Sequence, residues 1–130
     1  MTLQRFWWAL GVLIVGAALY VCLVPGQELP VALEWNDKLS HFAGHGLMAL
    51  YFSGIVARRS WWKILVFLVM FGIAIELAQY FMHAGREGDP RDVVANSIGA
   101  LLGLGAGWIG LSRWPEWIAR LLRLSRRATQ

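Results

Sequence analysis

Apolar residues in this chain run together instead of alternating with polar ones. Four stretches, 6–24, 39–57, 64–82 and 93–111, are each nineteen residues long and mainly apolar. At ~1.5 Å of rise per helical residue, that length matches a bilayer hydrocarbon core of ~30 Å. The pattern predicts an all-α, polytopic membrane protein with four transmembrane helices in a single domain over 1–130. The first stretch carries no charge and closes at Pro25-Gly26, and the third holds Glu76 and Gln79 as its polar content. These two read as spans unaided. The second, with His41, His45 and Ser53, and the fourth, with Asn96 and Ser97, read as spans because their neighbours leave them partners to pair with.

A different pattern follows at 114–127. Trp117, Ile118, Leu121 and Leu122 fall on one side of a helix, while Glu116, Arg120, Arg123 and Arg127 recur on the other. This predicts a C-terminal amphipathic helix lying on the cytoplasmic leaflet, apolar side down.

Composition sharpens the membrane reading. Apolar residues make up 58% and charged residues 15%, against ~45–50% and ~25% in soluble domains. Eight tryptophans and fourteen glycines suit interfaces and spans. The formal net charge of +4 sits in short segments between apolar runs. That placement suits anionic lipid headgroups and topology control, not nucleic acid. The lone Cys22 excludes an internal disulfide, and "LYV" before it lacks the small residue of a lipoprotein processing site, so the first span is expected to be retained.

The distribution of basic residues sets an expected orientation. Arg5, the Arg58–Arg59–Lys63 group and the five arginines from Arg113 to Arg127 would lie on one side. The intervening segment 26–38 has one basic residue against three acidic ones, and 83–92 has two arginines against three acids. The positive-inside rule then places both termini in the cytoplasm and the first and third loops outside.

With that topology the polar residues collect on the outer side. Asp37, His41 and His45 are four apart at the start of the second span, hence on one helix face. Glu76, Gln79, Tyr80 and His83 form a stripe at the end of the third, and Asp92 and Asn96 stack at the start of the fourth. Arg86 lies in the loop between. Ionisable groups in spans are costly and normally face protein or water and pair with one another. Glu76 therefore needs a partner, and Arg86, His41 and Lys38 are all in range by spacing. Local roles compete for some of these residues. In "DPRD", Asp89 suits an N-cap, Pro90 the first helical position and Asp92 the third-position carboxylate that reaches back. Gly85 suits a helix end, Asn96 an interhelical bond, and His45 either packing or the site. Gly99, Gly103 and Gly107, spaced by four, give the fourth span a smooth face for a neighbouring helix in this chain or another.

Three chemistries fit such a constellation. A metal site from His41, His45 and Glu76 lacks the zincin pattern, since Phe42 and not Glu follows the first histidine; no metal or other cofactor is expected. An acid–base enzyme would draw its catalytic groups from His41, Glu76 and Asp92, or from Asp37 beside His41, but neither a phosphate-cradling glycine loop nor a nucleophile elbow is present. Anion recognition is the simplest reading, with Lys38, Arg86 and Arg91 near the interface to receive a phosphate or carboxylate. The expected ligand-binding set is Asp37, Lys38, His41, Glu76, Gln79, Arg86, Asp92 and Asn96.

Two segments, "NDKLSHF" and "ELAQYFMHAGREGDPRDVVANSIGALLG", together resemble the VanZ-like membrane proteins. The family pattern of Asp-Lys with a nearby His, a Glu…Gln pair, an Arg and an Asp…Asn…Gly series falls here on Asp37, Lys38 and His41, on Glu76 and Gln79, on Arg86, and on Asp92, Asn96 and Gly99. His45 departs from the aromatic residue of many relatives, which weighs against a two-histidine metal site. The family is similar to a protein associated with low-level teicoplanin resistance. The resemblance implies a multi-span bacterial envelope protein without implying resistance or catalysis. The function expected is recognition of an anionic cell-wall or lipid-linked group in an outward-facing polar pocket. The alternatives are a membrane-embedded hydrolase or transferase on an envelope lipid, and an accessory subunit of a membrane complex. Membrane lipids, a cell-wall precursor or another membrane protein are the expected partners.

Overall fold

The computed structural model of the chain describes residues 2–24, 37–82 and 89–128, with side chains for all of these except Asp37 and residues 124–128. It is all-α. Helix α1 spans Leu3–Leu23, α2 Asp37–Ile55, α3 Trp61–Met82, α4 Pro90–Trp108 and α5 Trp114–Ala128, with single 3-10 turns at Arg58–Ser60 and Leu111–Arg113. Helices occupy the four expected apolar stretches and the expected tail, with ends within about three residues of those read from the sequence.

Helices α1 to α4 run antiparallel in sequence. At one end, here the polar end, the end of α1 meets the end of α3 through the Gln79 amide, which donates to the Cys22 carbonyl at 2.8 Å. There too the start of α2 meets the start of α4 through Lys38 and Asp92, 3.1 Å apart. The opposite end is aromatic. Trp114 stacks on Tyr51 and meets Trp7 edge-on, while Tyr51 donates its hydroxyl to the Trp7 carbonyl at 2.7 Å. Arg58 lies 3.3 Å over the Trp108 ring. Such aromatic and cationic groups suit the boundary between hydrocarbon and water.

The tightest packing joins α2 to α4, and glycines permit it. A Cβ on Gly99 would collide with the Phe42 carbonyl, and one on Gly103 with the Gly46 carbonyl. Gly107 lies against Ser53 and Trp61. The expected smooth face of α4 is thus occupied by α2 and α3 of the same chain. Met48, Ala49, Phe52, Trp61, Ile64, Leu68 and Ala100 fill the interior from all three helices. Hydroxyls within the spans are satisfied on their own helices: Ser53 donates to the Leu50 carbonyl and Ser97 to the Val93 carbonyl, both at 2.7 Å.

Outside this core the surface is apolar. Among the described residues, Gly11 alone is buried in α1, where it admits Phe52, while Leu3, Val12, Leu13, Leu19 and Tyr20 are exposed. Trp62, Val66, Phe67, Met70, Leu77 and Phe81 do the same on α3. Apolar surface this continuous requires lipid as its solvent.

Two helices, Leu3–Leu23 and Arg58–Met82, are long and apolar enough to cross a membrane unaided. Helix α4 and the segment after it form a third if taken together, bent by 74°. The bend falls at Gly110, whose φ of 117° is a left-handed conformation that glycine adopts without strain. Apolarity alone therefore supports two to three spans, not the expected four. The shortfall has a physical reason: α2 carries His41, His45 and Ser53, and α4 carries Asp92, Asn96 and Ser97, which lower their apolarity below that of α1 and α3.

The glycine contact yields a paired expectation. Gly99→Ala forces a methyl into the Phe42 carbonyl and should destabilise the protein by about 1–3 kcal/mol, whereas Gly105→Ala, with nothing within 4 Å, should gain up to about 1 kcal/mol from helix propensity. Thermal unfolding of both variants in one detergent checks this; equal melting temperatures would contradict the close approach.

Candidate functional site

Each of the three core helices delivers one buried ionisable group to the polar end. His41 comes from the second turn of α2, Glu76 from the penultimate turns of α3 and Asp92 from the first turn of α4; they are 3%, 7% and 4% exposed. One ligand-type atom of each lies within 4.8 Å of the other two. His41 Nδ1 is 4.0 Å from Glu76 Oε1.

Asp89 organises the edge of this cluster. Its side chain caps α4 by accepting the Arg91 N–H at 2.9 Å, with Pro90 at the first helical position. The expected capping box is altered in one respect. Asp92 does not reach back to the Asp89 N–H; Glu76 Oε2, thirteen residues earlier on α3, accepts it at 2.9 Å. Asp92 turns instead to Lys38, whose ammonium bridges Asp89 Oδ2 at 2.7 Å and Asp92 Oδ1 at 3.1 Å.

A second layer lies one helical turn deeper. His45 Nδ1 approaches the His41 carbonyl at 3.1 Å, so the i,i+4 histidines do not converge side by side on one point. Asn96 is 0% exposed. Its amide occupies the space left by Gly72, with Nδ2 2.9 Å from where a glycine Cβ would lie. Neither amide atom of Asn96 has a partner among the described residues.

The expected set is thereby sorted. His41, Glu76, Asp92 and Lys38 come together, and Asn96 lies beneath them. Gln79 is turned to the Cys22 carbonyl and ties α1 to α3. Tyr80 is 63% exposed. Arg86, His83 and Gly85 lie outside the described residues, as does the Asp37 side chain. Two contributors had escaped notice: Asp89 as the partner of both Lys38 and Glu76, and Gly72 as the space for Asn96. Gly72 stands four residues before Glu76, the one signal that it shares its face.

An apolar cavity of about 460 Å³ adjoins the cluster. Ala17, Ala18, Val21, Met48, Phe71 and Ile75 form its walls, and His41 and His45 line it too. Another groove of about 560 Å³ at the opposite end has Lys63 as its only ionisable lining group among the described residues. Size does not select the site here; the chemistry adjoins the smaller cavity.

Fold and site define a membrane-embedded, multi-pass all-α protein with an ionisable cluster buried between its helices. Residues 12–111 match the VanZ/LLP1 family, and the chain belongs to it. Comparison with curated proteins and with solved structures returns no significant match.

The ion pairs at the rim, outside the spans, predict a pH range. Hydrogen bonding to Asp89 and then Asp92 raises the Lys38 pKa above its ordinary 10.5; hydrogen bonding to Lys38 and then to the Arg91 N–H lowers Asp89 below its ordinary 3.8. The raised base favours the folded state below pH 10.5 and loses that contribution as pH climbs through its folded value. The depressed acid favours it above pH 3.8 and loses that contribution as pH falls through its own. Carboxyl NMR titration should show Asp89 returning upward in Lys38→Met. An unchanged titration would mean the pair is not formed.

Proposed function

We propose that this is a four-span bacterial envelope protein that binds a lipid-linked anionic molecule, its chain in the 460 Å³ cavity and its polar head at the His41–Glu76–Asp92–Lys38 cluster. What supports the reading is the junction of an apolar cavity with buried ionisable groups on His41, which belongs to both. Binding sites of this kind are mainly apolar with a few placed polar groups. Lys38 keeps 51% of its side-chain surface exposed, so an incoming phosphate or carboxylate exchanges with Asp89 for the same ammonium. Arg91, exposed and next to Asp92 in the chain, adds a second cation.

In this reading α2 and α4 are the second and fourth spans, their polar faces turned inward, and the polar end faces away from the cytoplasm. Both termini are then cytoplasmic, and α5 lies on the inner leaflet with the exposed Trp117, Leu121 and Leu122 toward lipid and Arg120 and Arg123 toward headgroups. The enzymatic version of the same site would use the His41–Glu76 pair as acid and base on the bound head group.

Binding tests the first part. Gly44 lines the cavity and has open space where a Cβ would point. Gly44→Phe should therefore fill the cavity and lower retention of polyprenyl phosphate by about tenfold or more, roughly 1.4 kcal/mol, without loss of folded protein. Native mass spectrometry reads retention. Undiminished retention would remove the cavity from the mechanism. Conversion of the bound lipid by wild type, lost in Glu76→Gln, would favour the enzymatic version.

Topology is tested separately. Reporter fusions after Arg59 and after Asp89 should lie on opposite sides of the membrane, with Arg59 cytoplasmic. Both on one side would rule out four spans.

A further inference from the structure

The groove at the end away from the ionisable cluster is built by α1, the end of α2 and the start of α3. Its walls are apolar, with Val12 and Val15 from α1, Phe52 and Ile55 from α2, and Phe67 from α3. Its polar lining is confined to one end, where Gln4 in the first turn of α1, Ser60 in the 3-10 turn and Lys63 in the first turn of α3 meet. We propose that this groove is a binding site for an anionic glycerophospholipid, with one acyl chain along the walls and the phosphate at Lys63.

Depth fits a lipid of one leaflet. From Gln4 to Val15 the lining runs along α1 for about 16 Å at ~1.5 Å per residue, roughly half of a ~30 Å hydrocarbon core. The Lys63 ammonium lies 5.6 Å from the ring of Trp62, which is 62% exposed. Exposed tryptophans mark the level of the headgroups, so the ammonium stands where a phospholipid carries its phosphate. Val12, 69% exposed, and Phe67, 47% exposed, leave the groove open sideways to the bilayer.

Charge selects the head group. An acyl chain gains little by leaving the bilayer for an apolar groove, because lipid tails are as apolar as the side chains that replace them. Preference for one lipid over another therefore falls to the polar end. Of the chain's eight acidic residues, the described segments at this end hold Glu116 alone, and Arg113 pairs with it at 3.2 Å. The same segments carry Arg5, Arg58, Arg59 and Lys63. Arg58 is turned away to Trp108, over whose ring it lies at 3.3 Å, and Lys63 is the cation that lines the groove. A lysine receives a phosphate as a point charge, and the Ser60 hydroxyl and Gln4 amide offer donors to its other oxygens. Basic pockets between membrane helices recognise anionic headgroups in this way.

The test uses the full chain, delipidated in detergent and offered equal amounts of dioleoyl phosphatidylglycerol and dioleoyl phosphatidylcholine, with retained lipid counted by native mass spectrometry. Wild type should keep one phosphatidylglycerol per chain, preferred about fivefold or more, the ratio expected of one lysine near an anionic headgroup. Lys63→Gln should lose the preference. Arg59→Gln removes an equal charge from the same end, outside the groove lining, and should keep it. Val12→Trp, which fills the groove at full charge, should lower retention of both lipids. Equal retention of the two lipids by wild type overturns the site whatever the variants do. Equal loss of preference in Lys63→Gln and Arg59→Gln overturns it too, since diffuse attraction then suffices. A wild-type dimer that keeps no phosphatidylglycerol and that Val12→Trp separates would give the groove to a second copy of the chain. Gly44→Phe alters the other cavity and should leave phosphatidylglycerol retention unchanged, so this measurement and the polyprenyl phosphate experiment fail independently.

Discussion

The backbones of α2 and α4 touch, and the rest of the molecule depends on that contact. Gly99 sits against the Phe42 carbonyl and Gly103 against the Gly46 carbonyl, where any side chain would force the helices apart. In lipid there is no hydrophobic drive to bring helices together, so close van der Waals packing and interhelical hydrogen bonds must do it. The register set by these glycines places His41 and Asp92 at one depth. It also places Lys38 within reach of Asp89 and Asp92.

Glu76 joins this pair to α3. Its carboxylate takes the N–H of Asp89, the capping residue of α4, a role that helix N-termini usually fill from within their own first turn. The residue that looks most out of place in an apolar span thus completes the end of another helix. Burial of a carboxylate is costly unless its oxygens are engaged, and the N-terminus of α4, with its partial positive charge, is a favourable place to engage one. Structure and site are consequently not separable at this end of the bundle: the same groups that close the helix ends line the candidate site.

Helix α1 plays a different part. It is held at its ends, by Gln79 on Cys22 and by Tyr51 on Trp7, and between them it stands far enough from α2 and α3 to leave the two apolar cavities. The cavity at the polar end inherits its chemistry from His41, and the one at the opposite end has, among the described residues, only Lys63. The reading of a lipid-linked ligand at the former follows from that difference and not from volume.

Much of this was legible in the order of residues. Apolar runs of nineteen residues predict helices in lipid because no other single-chain segment satisfies its backbone there, and Asp89-Pro90 marks the start of α4 through local sterics and capping alone. The spacing of Asp92 from Asn96, and of Gly99 from Gly103 and Gly107, assigns each group to one face, since helical period is a local property. Pairing between helices is not local. Glu76 had three partners in range by sequence, of which Arg86 lies outside the described residues; the packed structure brings it to the Asp89 N–H and within 4.0 Å of His41. Gln79, one turn further on, rotated instead to the Cys22 carbonyl of α1. The His41–His45 spacing suggested two ligands for one ion, but His45 folds onto the His41 backbone while the side chain of His41 meets carboxylates from α3 and α4. Sequence alone determined which residues share a helix face; the distances between faces, set by how closely glycine lets two backbones approach, were decided by the tertiary structure.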